Sequence, residues 1–509
     1  MPGWATLGRR ALLGASLAAA MPQRSRAEQY SDTLRVTWND RLVGLDPYGS
    51  ALRCELMLAH EVWDGLLGRD PETFALQPLL ARSWRWVDDV TLEFALRAGV
   101  WFHDATPFGA DDVVYTVRSV LSRVDLAVPG NYAWLDGVEQ VADDVVRLHL
   151  AHPFAAAPDY VAMVLPIFPA ALHRRLGPEA FARAPVGTGP YRISALGGDD
   201  GRIELQRWTP PVGLPPKGSS RIAAVSIVQT TDPAGPFNDL VSGRADWITG
   251  LTPQQFQAVD TAAELQALFS EGLRVAYLSI DAAGRSGFGP LTQPLVRRAI
   301  FHAIDRDTLA ATMAAGGGRV PTAACYPSQF GCDSSAVAPR GLDRERARSL
   351  MAEAGVSDGF RTLLVTSARA DVTAAVAADL AAVGIAADIV ALSAAAALAQ
   401  QAAGQAPLFL GSWGSSSVND VSAFLPRFFD GGDQDYARDA EVSDLIIRSS
   451  AAPDADTRRA LSARALGLIS QRALWLPLFT EAATYGIART LSFRPTSDDL
   501  PRFYRAAWR

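Results

Sequence analysis

The segment Thr91-Leu92-Glu93-Phe94-Ala95-Leu96 puts an apolar side chain at every second position, and Arg97-Ala98-Gly99-Val100-Trp101-Phe102-His103-Asp104 follows it without a gap. A period of two is that of a strand with one buried face. Val145-Val146-Arg147-Leu148-His149-Leu150 reads as a second strand of this kind. Between them, residues 109–123 carry a helical pattern opened by Asp111-Asp112, a pair suited to the positive end of a helix dipole. This region is therefore expected to be β-rich with a covering helix.

Toward the N-terminus, residues 33–38 alternate like a first strand, Leu45-Asp46-Pro47 marks a turn, and 55–67 read as a helix closing on Gly65 and Gly68. Toward the C-terminus, Gly187-Thr188-Gly189-Pro190-Tyr191 is a sharp break before a strand at 202–208. The stretch 209–220 holds four prolines and two glycines and is expected to be a loop. A strand at 222–229 and a helix at 234–243 follow. Beyond residue 276 the texture becomes α/β, with helices expected at 292–315, 343–354, 370–383 and 391–403 and strands at 361–366, 385–390 and 407–411. A β-rich first half and an α/β second half suit two lobes with a cleft between them, where small ligands bind.

Length and composition agree with that division. A chain of 509 residues exceeds a single compact core, so two or three domains are expected. The formal net charge of −7, with no basic stripe, argues against a nucleic-acid partner. Residues 1–27 read as an export signal: Arg9-Arg10, an apolar run from Ala11 to Met21, and a small-x-small site at Ser25-Arg26-Ala27. The arginine pair before a weakly apolar run resembles a twin-arginine signal, with ordinary Sec export as the rival. The mature chain is expected to begin near Glu28 and to be free in the periplasm, since no cysteine marks a lipid anchor and no other segment is apolar enough to span a bilayer.

In an oxidising compartment, Cys325 and Cys332, seven apart in a Pro/Gly/Ser-rich stretch, are expected to form a disulfide. A zinc site would need two further ligands, and none stands nearby at suitable spacing. Cys54, flanked by leucines, reads as a buried inert thiol. His149-x-x-His152 is the one close histidine pair, and on a strand that spacing sends the rings to opposite faces, so neither metal nor cofactor is expected.

Several segments resemble the extracellular solute-binding protein family 5, the peptide/nickel-type binding proteins of ABC importers. They are Pro78 to Trp84, Leu92 to Asp104 with Pro107 and Ala110-Asp111-Asp112-Val113, Val186 to Tyr191, Gly243-Arg244-Ala245-Asp246, Leu295 to Arg306, Ala347 to Gly355, Leu380 to Ile385 and Leu476 to Phe479. Ala105 stands where the family usually has glycine. The resemblance implies an α/β, two-lobe periplasmic binding protein of type II with an inserted β-rich subdomain. Lobe I would comprise 28–47, 186–275 and 481–509, the insertion 48–185, and lobe II 276–480, with hinge crossings near 275 and 480. It also implies a small-molecule or peptide ligand, delivery to the membrane subunits of an importer, and a monomer. Most of the matching motifs then have structural roles.

For ligand contacts, the resemblance points to Leu410-Gly411-Ser412-Trp413-Gly414-Ser415-Ser416-Ser417-Val418-Asn419-Asp420. Peptide-binding members carry here a tryptophan, matched by Trp413, and then an aspartate for the peptide's α-ammonium. That aspartate position falls on Ser416. A buried ammonium needs a charged partner, so free-amine peptide binding is placed in doubt unless Asp420 swings in. Otherwise Asn419-Asp420 makes an Asx turn. Gly411 and Ser412 are expected beside Trp413. Arg369 is a candidate clamp for a ligand carboxylate, and Trp38 and Asn39 candidates for the opposite wall. Peptides are the default ligand, with opines, glutathione-like compounds, sugars or metal chelates as alternatives. A secreted hydrolase is the remote alternative; no Gly-x-Ser-x-Gly or His-Glu-x-x-His motif occurs, and neighbouring carboxylates such as Asp88-Asp89 and Asp143-Asp144 read as caps and turns.

Reducing the protein is expected to lower its melting temperature if Cys325 and Cys332 are bridged. Thiol titration of the unreduced, unfolded chain should then find one free thiol, from Cys54, and three would exclude the bridge.

Overall fold

The backbone of two long strands organises the molecule. Leu265–Ile280 and Trp475–Ala488 pair antiparallel from Leu265↔Ala488 to Ser279↔Trp475, and they form the middle of a ten-stranded mixed sheet. On one side follow Trp247–Thr249, Thr33–Trp38, Ala224–Gln229, Arg202–Arg207 and Tyr191–Leu196; on the other follow Leu408–Trp413, Phe360–Thr366 and Ile385–Ala391. The computed structural model describes residues 32–197, 201–313, 318–337 and 340–509. The export signal expected over 1–27 lies outside the described residues.

The alternating segment takes its place in a separate four-stranded antiparallel sheet, ordered Ala81–Asp88, Thr91–Leu96, Val145–Leu150, Leu135–Ala142. Leu92, Phe94 and Leu96 point inward with Val146, Leu148 and Leu150, all buried. Helix Ala110–Ser122 covers that face with Val113, Val117 and Val120. Its start is a capping arrangement: the Gly109 N–H donates to the Asp112 carboxylate at 2.9 Å, and the other Asp112 oxygen accepts from the Ala170 N–H at 2.8 Å. Asp112 is thus a structural residue, tying the helix to the next segment.

The Gly187-Thr188-Gly189 break owes its composition to close approach. A Cβ at either glycine would collide with backbone at the end of helix Arg53–Val62, at Val62 and Glu61 respectively. Gly189 N–H donates to Val62 O at 2.9 Å, and the Thr188 hydroxyl to Asp64 at 2.8 Å, itself paired with Lys217 at 3.0 Å. The helix expected over 55–67 ends at Val62 because Trp63 is extended and the chain from Gly65 on packs against Val161.

In the α/β half, the helix expected over 292–315 is two helices, Pro294–Ala303 and Arg306–Met313. The break comes at Ile304-Asp305, where the Asp305 carboxylate accepts from the Thr308 N–H at 3.0 Å and so caps a new start. Arg297 is buried in the first of these helices. It donates to the carbonyls of Leu291, Thr292, Arg472 and Ala473 at 2.7–3.3 Å, and burial pushes its pKa down to about 10. Two apolar cores sandwich this half of the sheet, one around Leu278, Ile300 and Leu364, the other around Tyr277, Phe409 and Trp475. Cys325 and Cys332 are disulfide-linked, with Cα atoms 5.7 Å apart, and Cys54 is buried. No helix among the described residues is long and apolar enough to cross a membrane.

Gly187→Ala should destabilise the protein by about 2 kcal/mol or more, because the colliding partner is backbone and cannot rotate away. Gly289, where an added Cβ would meet nothing within 4 Å, is the control. Urea denaturation measures both, and equal midpoints would refute the close-approach account.

Candidate functional site

Between the two halves lies a cleft of about 250 Å³. One wall is a face of helix Arg53–Val62 and its exit: Arg53, Leu56, His60 and Trp63, at the spacings of one helical side. Asn131, Tyr132 and Met163 extend it. The other wall comes from the long strand, with Arg274 and Tyr277, from the end of strand Leu408–Trp413, with Ser412 and Trp413, and from Arg427. Arg274 and Tyr277 reach the cleft where the long ladder loses register, between Glu271 and Arg274 and again between Ala276 and Tyr277.

Trp413 is fixed before any ligand arrives. Its indole N–H donates to Ala423 O at 2.9 Å, and the Arg427 guanidinium lies over one ring face, 3.9 Å from the centroid. The Ser412 hydroxyl donates to Glu481 at 3.0 Å and accepts from Arg274 at 3.4 Å. Among the described residues, no aspartate or glutamate lines the cleft. His60 does, but burial first, then Lys217 and Arg502, lower its pKa to about 3, so its ring is neutral at physiological pH.

The serine loop after Trp413 is conformationally costly. Ser415, Ser416 and Ser417 have φ of 54°, 48° and 61°, three successive left-handed residues without a glycine. Such positions cost on the order of 1–3 kcal/mol each and persist where surroundings over-determine them. Here the surroundings belong to the opposite wall. Asn131 donates to Ser416 Oγ at 3.3 Å, Arg53 to Ser417 Oγ at 2.8 Å, and Arg69 to Ser417 O at 3.1 Å, while Ser417 Oγ donates to Asp498 O at 2.7 Å. The loop is a latch between the two sides.

Of the residues singled out in the sequence, Trp413 and Ser412 line the cleft. Gly411 is buried in the strand just behind, where a Cβ would meet the Phe409 ring. Asp420 does not face the cleft: it is 2% exposed, pairs with Arg458 at 2.6 Å and accepts from the Ser422 N–H at 2.9 Å. The geometry therefore supports its turn role and leaves the ammonium position to uncharged Ser416. Asn419 is half-buried beside it, its carbonyl accepting from the Phe330 N–H at 3.1 Å. Arg369 is exposed and ion-paired with Asp371, outside the lining. Trp38 is buried in the ten-stranded sheet, and exposed Asn39 donates to Pro233 O at 3.4 Å; neither borders the cleft. Sequence reading missed Arg53, His60, Arg274 and Arg427. Only the Arg53/His60 spacing of seven on one helix face was a usable signal.

Behind the helix wall, Glu61 is fully buried. Its Oε1 accepts from the Phe503 N–H at 2.8 Å, and Oε2 has no partner among the described residues. Burial outweighs the nearby Lys217 and raises its pKa to about 8. The folded state then binds more protons than the unfolded state between about 4.5 and 8, so this group's contribution to stability is present below that window and lost as pH rises through it. Glu61→Gln should remove that loss, at up to about 1.4 kcal/mol per pH unit across the window. Denaturation at pH 5 and pH 8 tests it: the variant's advantage should appear at the higher pH and shrink at the lower. A pH-independent difference would contradict the assignment.

The sequence pattern of the bacterial extracellular solute-binding proteins, family 5, matches residues 75–436. The chain is 26% identical over 477 residues to the glutathione-binding protein GsiB of Escherichia coli K12, spanning 88% of this chain and 89% of that one. A match at 30% identity to the probable ABC transporter periplasmic-binding protein SapA, also of E. coli K12, spans 50% of this chain and 49% of SapA. Among solved structures, the periplasmic binding protein DppA of Helicobacter pylori in complex with the peptide STSA aligns with TM-score 0.82 at 21% identity, over 94% of this chain and 98% of that one. AgaA of A. tumefaciens R10 in complex with agropinic acid aligns with TM-score 0.79 at 21% identity, over 94% and 99%. The fold is that of the two-lobe type II periplasmic binding proteins, α/β with a β-rich subdomain.

Proposed function

The chain belongs to family 5 of the bacterial extracellular solute-binding proteins, and on that premise we propose that it captures a small solute between its lobes and delivers it to the membrane subunits of an ABC importer. The observation that carries this reading is the cleft itself, built from both halves of the molecule and bridged by the serine latch. Closure of two lobes around a ligand is a shift between open and closed populations, and latch contacts that exist only in the closed form bias it.

The protein is read as a binding component without chemistry of its own. A hydrolytic site needs a positioned acid and base facing the ligand, and here, among the described residues, no carboxylate lines the cleft and burial leaves His60 a weak base. We place it in the periplasm as a monomer, exported by a cleaved twin-arginine-type signal, with lobe I at 28–47, 186–275 and 481–509, the inserted subdomain at 48–185 and lobe II at 276–480. Short peptides are the first ligand class to consider, since DppA was solved with STSA and GsiB is named for glutathione. The carboxylate-free lining favours a second reading, a solute with no free ammonium to pair, such as an opine acid of the kind bound by AgaA.

A thermal-shift screen of residues 28–509 with free-amine peptides, N-acetylated peptides, glutathione, opine acids and sugars tests the proposal. A ligand at 100 times its dissociation constant adds about 2.7 kcal/mol, which is readily seen. Stabilisation by free-amine peptides alone supports the first class, and by acetylated or non-peptide acids the second. Silence across all classes would overturn the solute-binding reading. With any ligand so found, Trp413→Ala should weaken binding by more than tenfold while unfolding stays cooperative.

A further inference from the structure

Arg427 is the group in the cleft whose surroundings leave it unanswered. It sits in the short helix Leu425–Phe429 and borders the cavity. Among the described residues it makes no hydrogen bond and no ion pair; its guanidinium lies over the face of Trp413 and within electrostatic reach of the Tyr277 hydroxyl, a group whose pKa burial raises and which therefore carries no counter-charge. The other arginines of the lining are engaged. Arg53 donates to Ser417 Oγ at 2.8 Å and Asp498 O at 2.7 Å and pairs with Asp499 at 3.2 Å. Arg274 lies 3.6 Å from Glu481. Burial lowers the pKa of Arg427, as expected for a cation drawn out of water without a counter-charge.

A guanidinium carries five N–H donors in one plane. Stacking uses its face and leaves the edge free, and the edge is what a carboxylate engages through two parallel hydrogen bonds. The orientation is preset, because Trp413 is itself held by its bond to Ala423 O. A pre-oriented fork loses little entropy when its partner arrives. An uncompensated, partly buried charge meanwhile costs stability in the empty protein.

We propose that Arg427, laid against Trp413, is the anion-recognition group of this cleft, and that the solute is a small acid whose carboxylate or similar oxyanion pairs with it. This rests on the solute-binding reading and narrows its ligand class. The lining points the same way: among the described residues it offers no carboxylate to repel an acid or to neutralise an ammonium.

The test needs no knowledge of the natural solute. Wild type, Arg427→Met and Arg427→Lys are melted in chloride buffer and then with chloride exchanged for inorganic phosphate or acetate at constant ionic strength. Arg427→Met keeps an apolar stem on the indole, so with the lone charge gone the ligand-free variant should melt above wild type. Phosphate or acetate should stabilise wild type saturably and Arg427→Met with at least tenfold weaker apparent affinity, Arg427→Lys falling between. No saturable response in wild type, or an equal response in both variants, overturns the proposal. Should Arg427→Met not fold, undiminished anion affinity in Arg427→Lys overturns it. Failure of the solute-binding reading looks different: no solute of any class stabilises wild type in the wider screen. A solute that binds wild type and Arg427→Met equally well leaves that reading standing and removes this one.

Discussion

The antiparallel ladder between Leu265–Ile280 and Trp475–Ala488 is the constraint on which the other features depend. It is the one pairing that touches both halves of the ten-stranded sheet, so the first-lobe strands and the α/β strands are held through it. A ladder of that length would be stiff if its register were unbroken. It is broken twice, at Glu271/Arg274 and at Ala276/Tyr277. Irregularities of this kind bend a strand and re-aim its side chains, and the residues re-aimed here, Arg274 and Tyr277, form part of the cleft. The same irregularities that bend the ladder thus supply part of one wall of the cleft.

Strain and charge are distributed around that junction in a complementary way. The left-handed serines 415–417 store unfavourable backbone energy on one side of the cleft, and Arg53, Arg69 and Asn131 hold them from the other. The conformation of the loop is thereby tied to the contact between the two sides. Arg69 is itself anchored by half-buried Asp159, and buried Asp420 by Arg458, so both sides of the latch rest on ion pairs drawn at least partly out of water. Pairs of this sort add little net stability but are costly to break singly, which holds the junction to one geometry.

Much of the scaffold could be read along the chain. The period-two segments around Phe94 and Val146, the helix opened by Asp111-Asp112, and the alternating strands and helices beyond residue 343 depend on neighbours within a few residues, and they form close to where pattern places them. The divided helix at Ile304-Asp305 was hidden because Asp305 is a weak helix former only in degree; its capping bond decides the break. The long strands 265–280 and 475–488 were also hidden, since their burial comes from both faces of a sheet assembled from distant strands, which removes the alternation a half-exposed strand would show.

The pattern along the chain carries the family-wide motifs and the β-rich and α/β texture, and family resemblance points to Trp413 and Ser412, which line the cleft. The charge of the cleft is a matter of packing. Asp420 lies seven residues after Trp413, yet it is withdrawn from the cleft because Arg458, 38 residues further on, offers a buried counter-charge. Arg427 lies seven residues beyond Asp420 and is left in the cleft with no counter-charge among the described residues. Which ionised side chain finds a partner depends on three-dimensional neighbours, and Coulomb energies in a low-dielectric interior depend on those neighbours far more than on local sequence. Family resemblance therefore pointed to the loop after Trp413, and packing alone set which charged side chains border the cleft.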